Sequence, residues 1–226
     1  MFDTKENKGY NQFYMIYKIQ NYKNKLIEKA YKEGVKDFNK FFNMNWIYGK
    51  PNVCVLKNRK EIDLVSQHKT ERWIVGFGRP GERTVYILDN KNMVKESSHR
   101  KHSDKKYSSL IKHELCHVFY DFVSGGYHNP IWLTEGVSIY LAGQIKEKKP
   151  INKFSTFLKF YKHGGSGVYA ESGTAVKLLV DNFGKKKLLK LISISKEAKN
   201  NKGFVKLFKK IYGFDLNYKN FNDLLD

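Results

Sequence analysis

An α+β fold is predicted from three observations. A long amphipathic helical pattern opens the chain, short β-branched and aromatic runs cluster over residues 51–90, and helical periodicity dominates from residue 106 onward. No internal repeat, low-complexity tract or Pro/Ser-rich linker interrupts the 226 residues. They are therefore read as one domain comprising an N-terminal helical segment (1–50), a small mixed sheet (51–90) and a helical part (106–226).

The elements follow from local patterns. From about Asn11 to Met44, Phe13, Ile16, Tyr17, Leu26, Ala30, Tyr31, Phe38, Phe41 and Phe42 recur at near-helical spacing with lysines between them. Gly34 falls inside that run, where the lowest helix propensity after proline suggests a bend. Val53–Leu56, Arg72–Phe77 and Thr84–Leu88 read as strands, and Gly78–Glu82 makes the last two a hairpin with a loop of five or six residues. Asn90–Lys106 is polar and reads as a loop. Helices are expected near Tyr107–Val123, Ile131–Gln144, Lys153–His163, Tyr169–Phe183, Lys185–Ser195 and Gly203–Tyr212.

Composition narrows the function classes. Aliphatic and aromatic residues make up 41%, too many for a disordered chain. No apolar run approaches the ~20 residues needed to span a bilayer. The N-terminal Met1–Lys8 lacks the apolar core of a secretory signal, so a cytoplasmic location is expected. Cys54 and Cys116 are too few for a disulfide framework, and Cys116 reads as a reduced, buried packing residue. The net charge of +20 is spread along the chain and suits a solvated surface. It also suits acidic substrates or nucleic acid, but no nucleic-acid recognition motif accompanies it, so that remains a secondary reading. Oligomeric state leaves no trace in the sequence.

The chemistry is concentrated at His113-Glu114-Leu115-Cys116-His117, an H-E-x-x-H sequence. On a helix, residues four apart differ by about 40° in direction and ~6 Å in rise, so both imidazoles face one ion. Glu114 lies about 100° from His113, beside the ligand face, where a carboxylate reaches a metal-bound water without ligating the metal. Leu110, Ile111, Leu115, Cys116, Val118, Phe119 and Phe122 supply apolar faces for a helix packed on several sides.

A catalytic zinc takes three protein ligands and keeps a fourth position open. Glu135 lies on the next helical pattern, Ile131–Tyr140, beyond a short loop over Ser124–Pro130, and is the candidate third ligand. A metzincin pattern would need Gly and His where this chain has Tyr120 and Val123. Asp121 stands ~12 Å from His113 along the helix and reads as a supporting or capping group.

His113–His117 followed by Pro130-Ile131-Trp132-Leu133-Thr134-Glu135-Gly136 resembles the gluzincin zinc metallopeptidases, in particular their bacterial peptidase MA-like domains. Trp73–Gly78 with Arg83–Leu88 is similar to the strand region before their active-site helix. Tyr169–Val176 is similar to their Tyr-bearing helix after the metal site, so the resemblance covers roughly residues 50–185. It implies a thermolysin-like zincin core, Zn2+ held by His113, His117 and Glu135, Glu114 as catalytic base, and a peptide or protein substrate aligned on an edge strand. It further implies that Tyr169 stabilises the oxyanion. The His117–Glu135 spacing is shorter than in the thermolysin and aminopeptidase groups, and position 139 is Ile139 where thermolysin-like proteins carry a carboxylate. No exopeptidase amine-binding signature is recognisable, which points to an endopeptidase.

His128 and His163 are further candidates to line the cleft or assist the oxyanion, whereas His99 and His102 sit in the polar stretch and read as solvated. Lys185-Lys186-Lys187 reads as a solvated helix start. A non-catalytic zinc protein that recognises a peptide or partner is the competing reading, set against an intact Glu114.

Overall fold

The computed structural model describes residues 20–159 and 166–225, which form the α+β arrangement that the sequence predicts. Helix α1 (Lys25–Phe42) begins where the Asn24 side chain accepts from the Leu26 and Ile27 N–H groups at 3.0 and 3.2 Å. Residues 20–24 are therefore not helical, and the earlier part of the expected helix lies outside the described residues. The helix runs unbroken through Gly34. Gly34 marks no bend; a Cβ there would make ordinary contact with Lys112 Cγ at 3.4 Å and Leu115 Cδ1 at 3.6 Å.

Strands β1 (Asn52–Leu56), β2 (Gly76–Arg79) and β3 (Thr84–Leu88) form one sheet in the order β1-β3-β2. β1 runs parallel to β3, and β2 pairs antiparallel with β3 as an edge strand. A parallel pair needs a crossover, and α2 (Arg59–Ser66) lies within it. This helix is missing from the sequence reading, although Asn58 and Glu61 carry its signature. Asn58 Oδ1 accepts from Glu61 N at 3.0 Å, and Glu61 Oε2 accepts from Lys57 N at 2.6 Å.

The strand expected at Arg72–Phe77 starts four residues late. The Arg59 guanidinium explains the shift, because it donates to the carbonyls of Glu71, Arg72 and Ile74 at 3.3, 3.1 and 2.7 Å and folds that segment around itself. β2 then extends to Arg79, so the β2–β3 connection is a tight four-residue turn rather than the longer loop expected. The polar stretch after β3 is not all loop. A short helix α3 (Met93–Glu96) buries Met93, and α4 (Asp104–Ser124) starts before Tyr107, capped by Ser103, whose hydroxyl accepts from Lys106 N at 3.3 Å.

α4 is the central helix, with α1, α5 (Ile131–Leu141), α7 (Lys185–Ile194) and strands β2 and β3 packed around it. Its Ile111, Leu115, Cys116 and Phe119 are fully buried. α6 (Ser166–Phe183) pairs with α5 at very short range. A Cβ on Gly136 would come within 2.5 Å of the Ser172 carbonyl oxygen, and one on Gly173 within 2.5 Å of Ile139 Cγ2. α8 (Asn201–Tyr212) and α9 (Tyr218–Asn222) close the fold around an aromatic cluster of Trp132, Phe154, Phe157, Phe204, Phe208 and Phe221. α9 has no counterpart in the sequence reading, and it is ordered by the burial of Phe221 in that cluster. Among the described residues no helix is long and apolar enough to cross a membrane.

The helix expected at Lys153–His163 is replaced over 153–156 by extended chain, followed by a 3-10 turn at Phe157–Lys159; residues 160–163 lie outside the described residues. The cause is Glu171 of α6, which is buried at 5% exposure. Its carboxylate accepts from the N–H groups of Ser155, Thr156 and Phe157 at 3.0, 2.7 and 2.9 Å and so ties this segment to α6 in its extended form. Glu171→Ala is expected to lower unfolding stability by about 3 kcal/mol, because three backbone donors and the Ser155 hydroxyl lose one buried acceptor. Urea unfolding checks this, with an unchanged midpoint as the contrary outcome.

Candidate metal centre

His113 and His117 project from the same face of α4, one turn apart, toward Glu135 in the first turns of α5. Their Nε2 atoms are 3.0 Å apart. Glu135 Oε2 lies 3.3 Å from His113 Nε2, and Glu135 Oε1 lies 3.5 Å from His117 Nε2. One candidate ligand atom from each of the three residues lies within 4.8 Å of the other two. The far side of each ring is also engaged. His113 Nδ1 is 3.1 Å from Gln144 Oε1 and His117 Nδ1 is 3.2 Å from Ser138 Oγ. In the tautomers that donate through Nδ1–H, both Nε2 lone pairs point into one space that also holds a carboxylate. That donor set fits a borderline-soft divalent cation such as zinc.

The electrostatics of the site are strongly coupled. Burial alone would raise the Glu135 carboxyl, but His117 and His113 beside it hold it down at about 2. Burial works to lower His113, yet its contact with Glu135 and the charge of Glu114 raise it above the usual imidazole value. His117, buried beside a second imidazole, is pushed down to about 4. One imidazole thus favours its proton and the other gives it up, as expected when two rings compete for one carboxylate.

Glu114 stands beside the ligand face as the helix geometry predicts. It is buried at 7% exposure, and burial pushes its carboxyl up to about 7. The Gly78 N–H donates to it, so the carboxylate is anchored on β2. β2 can lie this close because Gly76 and Gly78 have no side chains. A Cβ at 76 would be 3.3 Å from Glu114 Cγ, and one at 78 would be 3.3 Å from the Glu114 carbonyl oxygen. The Gly-Phe-Gly run was the signal for this close strand–helix contact; the sequence places Gly76 and Phe77 in a strand and Gly78 at the start of the turn.

Tyr169 lies in the first turns of α6, half-buried, within electrostatic reach of Glu135 and Glu114. Burial, reinforced by those carboxylates, pushes its phenol up to about 12, so it keeps its proton as a donor. Asp121 pairs with His128 at 2.8 Å, and His128 is near enough to His117 to disfavour its charge. Asp121 therefore supports a histidine on the rim of the site. His99 and His102 are both tied to neighbours, His99 to the Trp73 carbonyl at 3.3 Å and His102 to the Asn90 side chain. His163 lies outside the described residues. Both thiols are free, Cys116 buried and Cys54 exposed.

Lys185 departs from its expected role as a solvated residue. Its ammonium donates to the Lys40 carbonyl and Asn43 Oδ1, each at 3.0 Å, and so caps the C-terminal end of α1. Lys186 and Lys187 are exposed.

Gln144 and Ser138 were not anticipated. Ser138 follows Glu135 by three positions, so one face of α5 presents both, and this spacing was the available signal. Ser138→Ala is expected to weaken zinc binding by roughly 10- to 100-fold, as for other hydrogen-bond partners of metal-bound histidines. Competition with a chromogenic chelator measures it, and an unchanged affinity would remove Ser138 from the site. Comparisons with protein-family models, curated proteins and solved structures each find no significant match.

Proposed function

We propose that this protein is a zinc-dependent peptidase of the gluzincin type, acting within peptide chains. The observation that carries this reading is the convergence of two imidazole Nε2 atoms and one carboxylate on a single point, with a second, separately buried carboxylate beside them. Two nitrogens and one carboxylate oxygen suit zinc better than magnesium or calcium, which take all-oxygen sets. Zinc bound there would supply Lewis-acid chemistry and lower the pKa of a coordinated water toward ~7.

The chain's own groups divide the remaining work. Glu114, held by the Gly78 N–H, takes the proton of the attacking water on its carboxylate and returns it to the leaving amine. A carboxyl poised at about 7 is suited to both transfers. Tyr169, still protonated at neutral pH, donates a hydrogen bond to the developing oxyanion. The edge strand β2 passes directly over α4 and offers backbone groups to an extended peptide.

The test is mass-spectrometric profiling of a diverse peptide library with the zinc-loaded protein, with its metal-stripped form and with Glu114→Gln. Cleavage by the loaded wild type alone supports the reading. An uncut library across all three would sink it and favour a zinc protein that recognises a partner without hydrolysis.

A further inference from the structure

A second concavity shares a wall with the metal centre. It encloses about 290 Å³ and is lined by Lys101, Lys106, Lys148, Leu110, Gln144 and Val75, among others. Three of these fix its place. Gln144 accepts from the ring of His113, Leu110 precedes His113 by one helical turn on α4, and Val75 is the residue before β2. A peptide laid along β2 across the metal centre therefore continues over this cleft.

Its charge is one-sided. Three lysines and a single carboxylate, Glu147, line it; Glu147 acts electrostatically on Lys148 and also accepts from the Ser109 hydroxyl at 3.1 Å. None of the three lysines forms an ion pair with another described residue. Lys148 is half-buried, and desolvation lowers its ammonium below the usual lysine value, with Glu147 offsetting only part of the effect. His99 and His102 also line the cleft and bond to uncharged acceptors, so they add no negative charge. Opposite charge brought into such a place is favoured, and the low-dielectric wall formed by Val75, Met93 and Leu110 strengthens the attraction.

Resting on the peptidase reading, we infer that this cleft is a specificity pocket for an acidic side chain, Asp or Glu, at one fixed position from the scissile bond. The groove along β2 gives affinity for backbone, and the lysine cleft chooses the side chain. The excess of basic residues across the chain works in the same direction by steering acidic segments to the surface.

The experiment uses short, end-blocked, alanine-based peptides with one Glu moved through successive positions, and a matched set carrying Gln. Cleavage by the zinc-loaded protein is followed by mass spectrometry, and binding to zinc-loaded Glu114→Gln by fluorescence anisotropy at low and high salt. Each exposed ion pair alone is worth a few-fold at most, so three lysines lining one cleft should favour Glu over Gln by about tenfold at one position. High salt should reduce that preference. Lys101→Glu combined with Lys148→Glu should turn it into a preference for Lys, whereas Lys148→Arg should retain it. Equal cleavage of the Glu and Gln sets overturns the pocket and leaves the peptidase reading standing. Selective, salt-sensitive binding of the Glu set without cleavage keeps the pocket and overturns the peptidase reading. Neither selective binding nor cleavage overturns both.

Discussion

Glu114→Gln is expected to leave zinc bound at one equivalent and to reduce peptide hydrolysis by roughly 10²- to 10⁴-fold, the range attributed to a positioned general base. The substitution keeps the side-chain shape, and the amide oxygen can still accept from the Gly78 N–H, so β2 and α4 keep their contact. What is lost is only the capacity to take a proton. Burial raises this carboxyl above the usual carboxylate range, and no other acidic side chain among the described residues combines that position with that burial. Elemental analysis and steady-state kinetics on the same preparation decide the matter. Wild-type turnover by the variant would remove Glu114 from the chemistry, and loss of zinc along with activity would reassign it to the metal's support.

His117→Ala should instead lose the metal. Two remaining ligands, His113 and Glu135, cannot complete a three-ligand zinc site, so affinity should fall by more than the 10- to 100-fold typical of outer hydrogen-bond partners. Saturating zinc should stabilise the wild type by about 2.7 kcal/mol at 100 times Kd, an effect expected to vanish in the variant. Thermal unfolding with and without zinc reads this directly. An equal zinc-induced shift in both proteins would refute the ligand assignment. The variant also removes an imidazole that helps hold the Glu135 carboxyl down, so apo-state unfolding should be compared at matched pH.

Much of this site was legible because its spacing is local. Four residues on one helix bring His113 and His117 together, and the fixed turn of that helix puts Glu114 beside them. Glu135 was legible from the short connection between α4 and α5. The groups that were missed depend on contacts distant in sequence. Gln144 reaches His113 across 31 positions, and Gly78 reaches Glu114 from a strand whose start the sequence misplaced. In the fold, the regular periodic helices were recovered, while segments governed by one distant side chain were not. Arg59 gathers the carbonyls of Glu71, Arg72 and Ile74, and Glu171 gathers the amides of residues 155–157. Local propensity has no way to register either donor or acceptor. Asn58 and Glu61 did announce α2, but a helix of eight residues gives too short a periodic run to compete with the strands around it.

The close pairing of α5 and α6 divides the candidate metal centre in an unexpected way. Gly136 and Gly173 leave those two helices no room to slide past each other, so Glu135 and Tyr169 ride on one rigid block. His113, Glu114 and His117 ride on another, built from α4 and the strand it supports. A seam between these two blocks would separate the candidate metal ligands, with the proposed proton and oxyanion groups on opposite banks. A disturbance inside either block is expected to leave the opposite bank in place, whereas a shift along the α4–α5 boundary is expected to move ligand and donor geometry together. Variants that change metal affinity and turnover in step should therefore map to the α4–α5 boundary, and those that separate the two should map to the interior of one block.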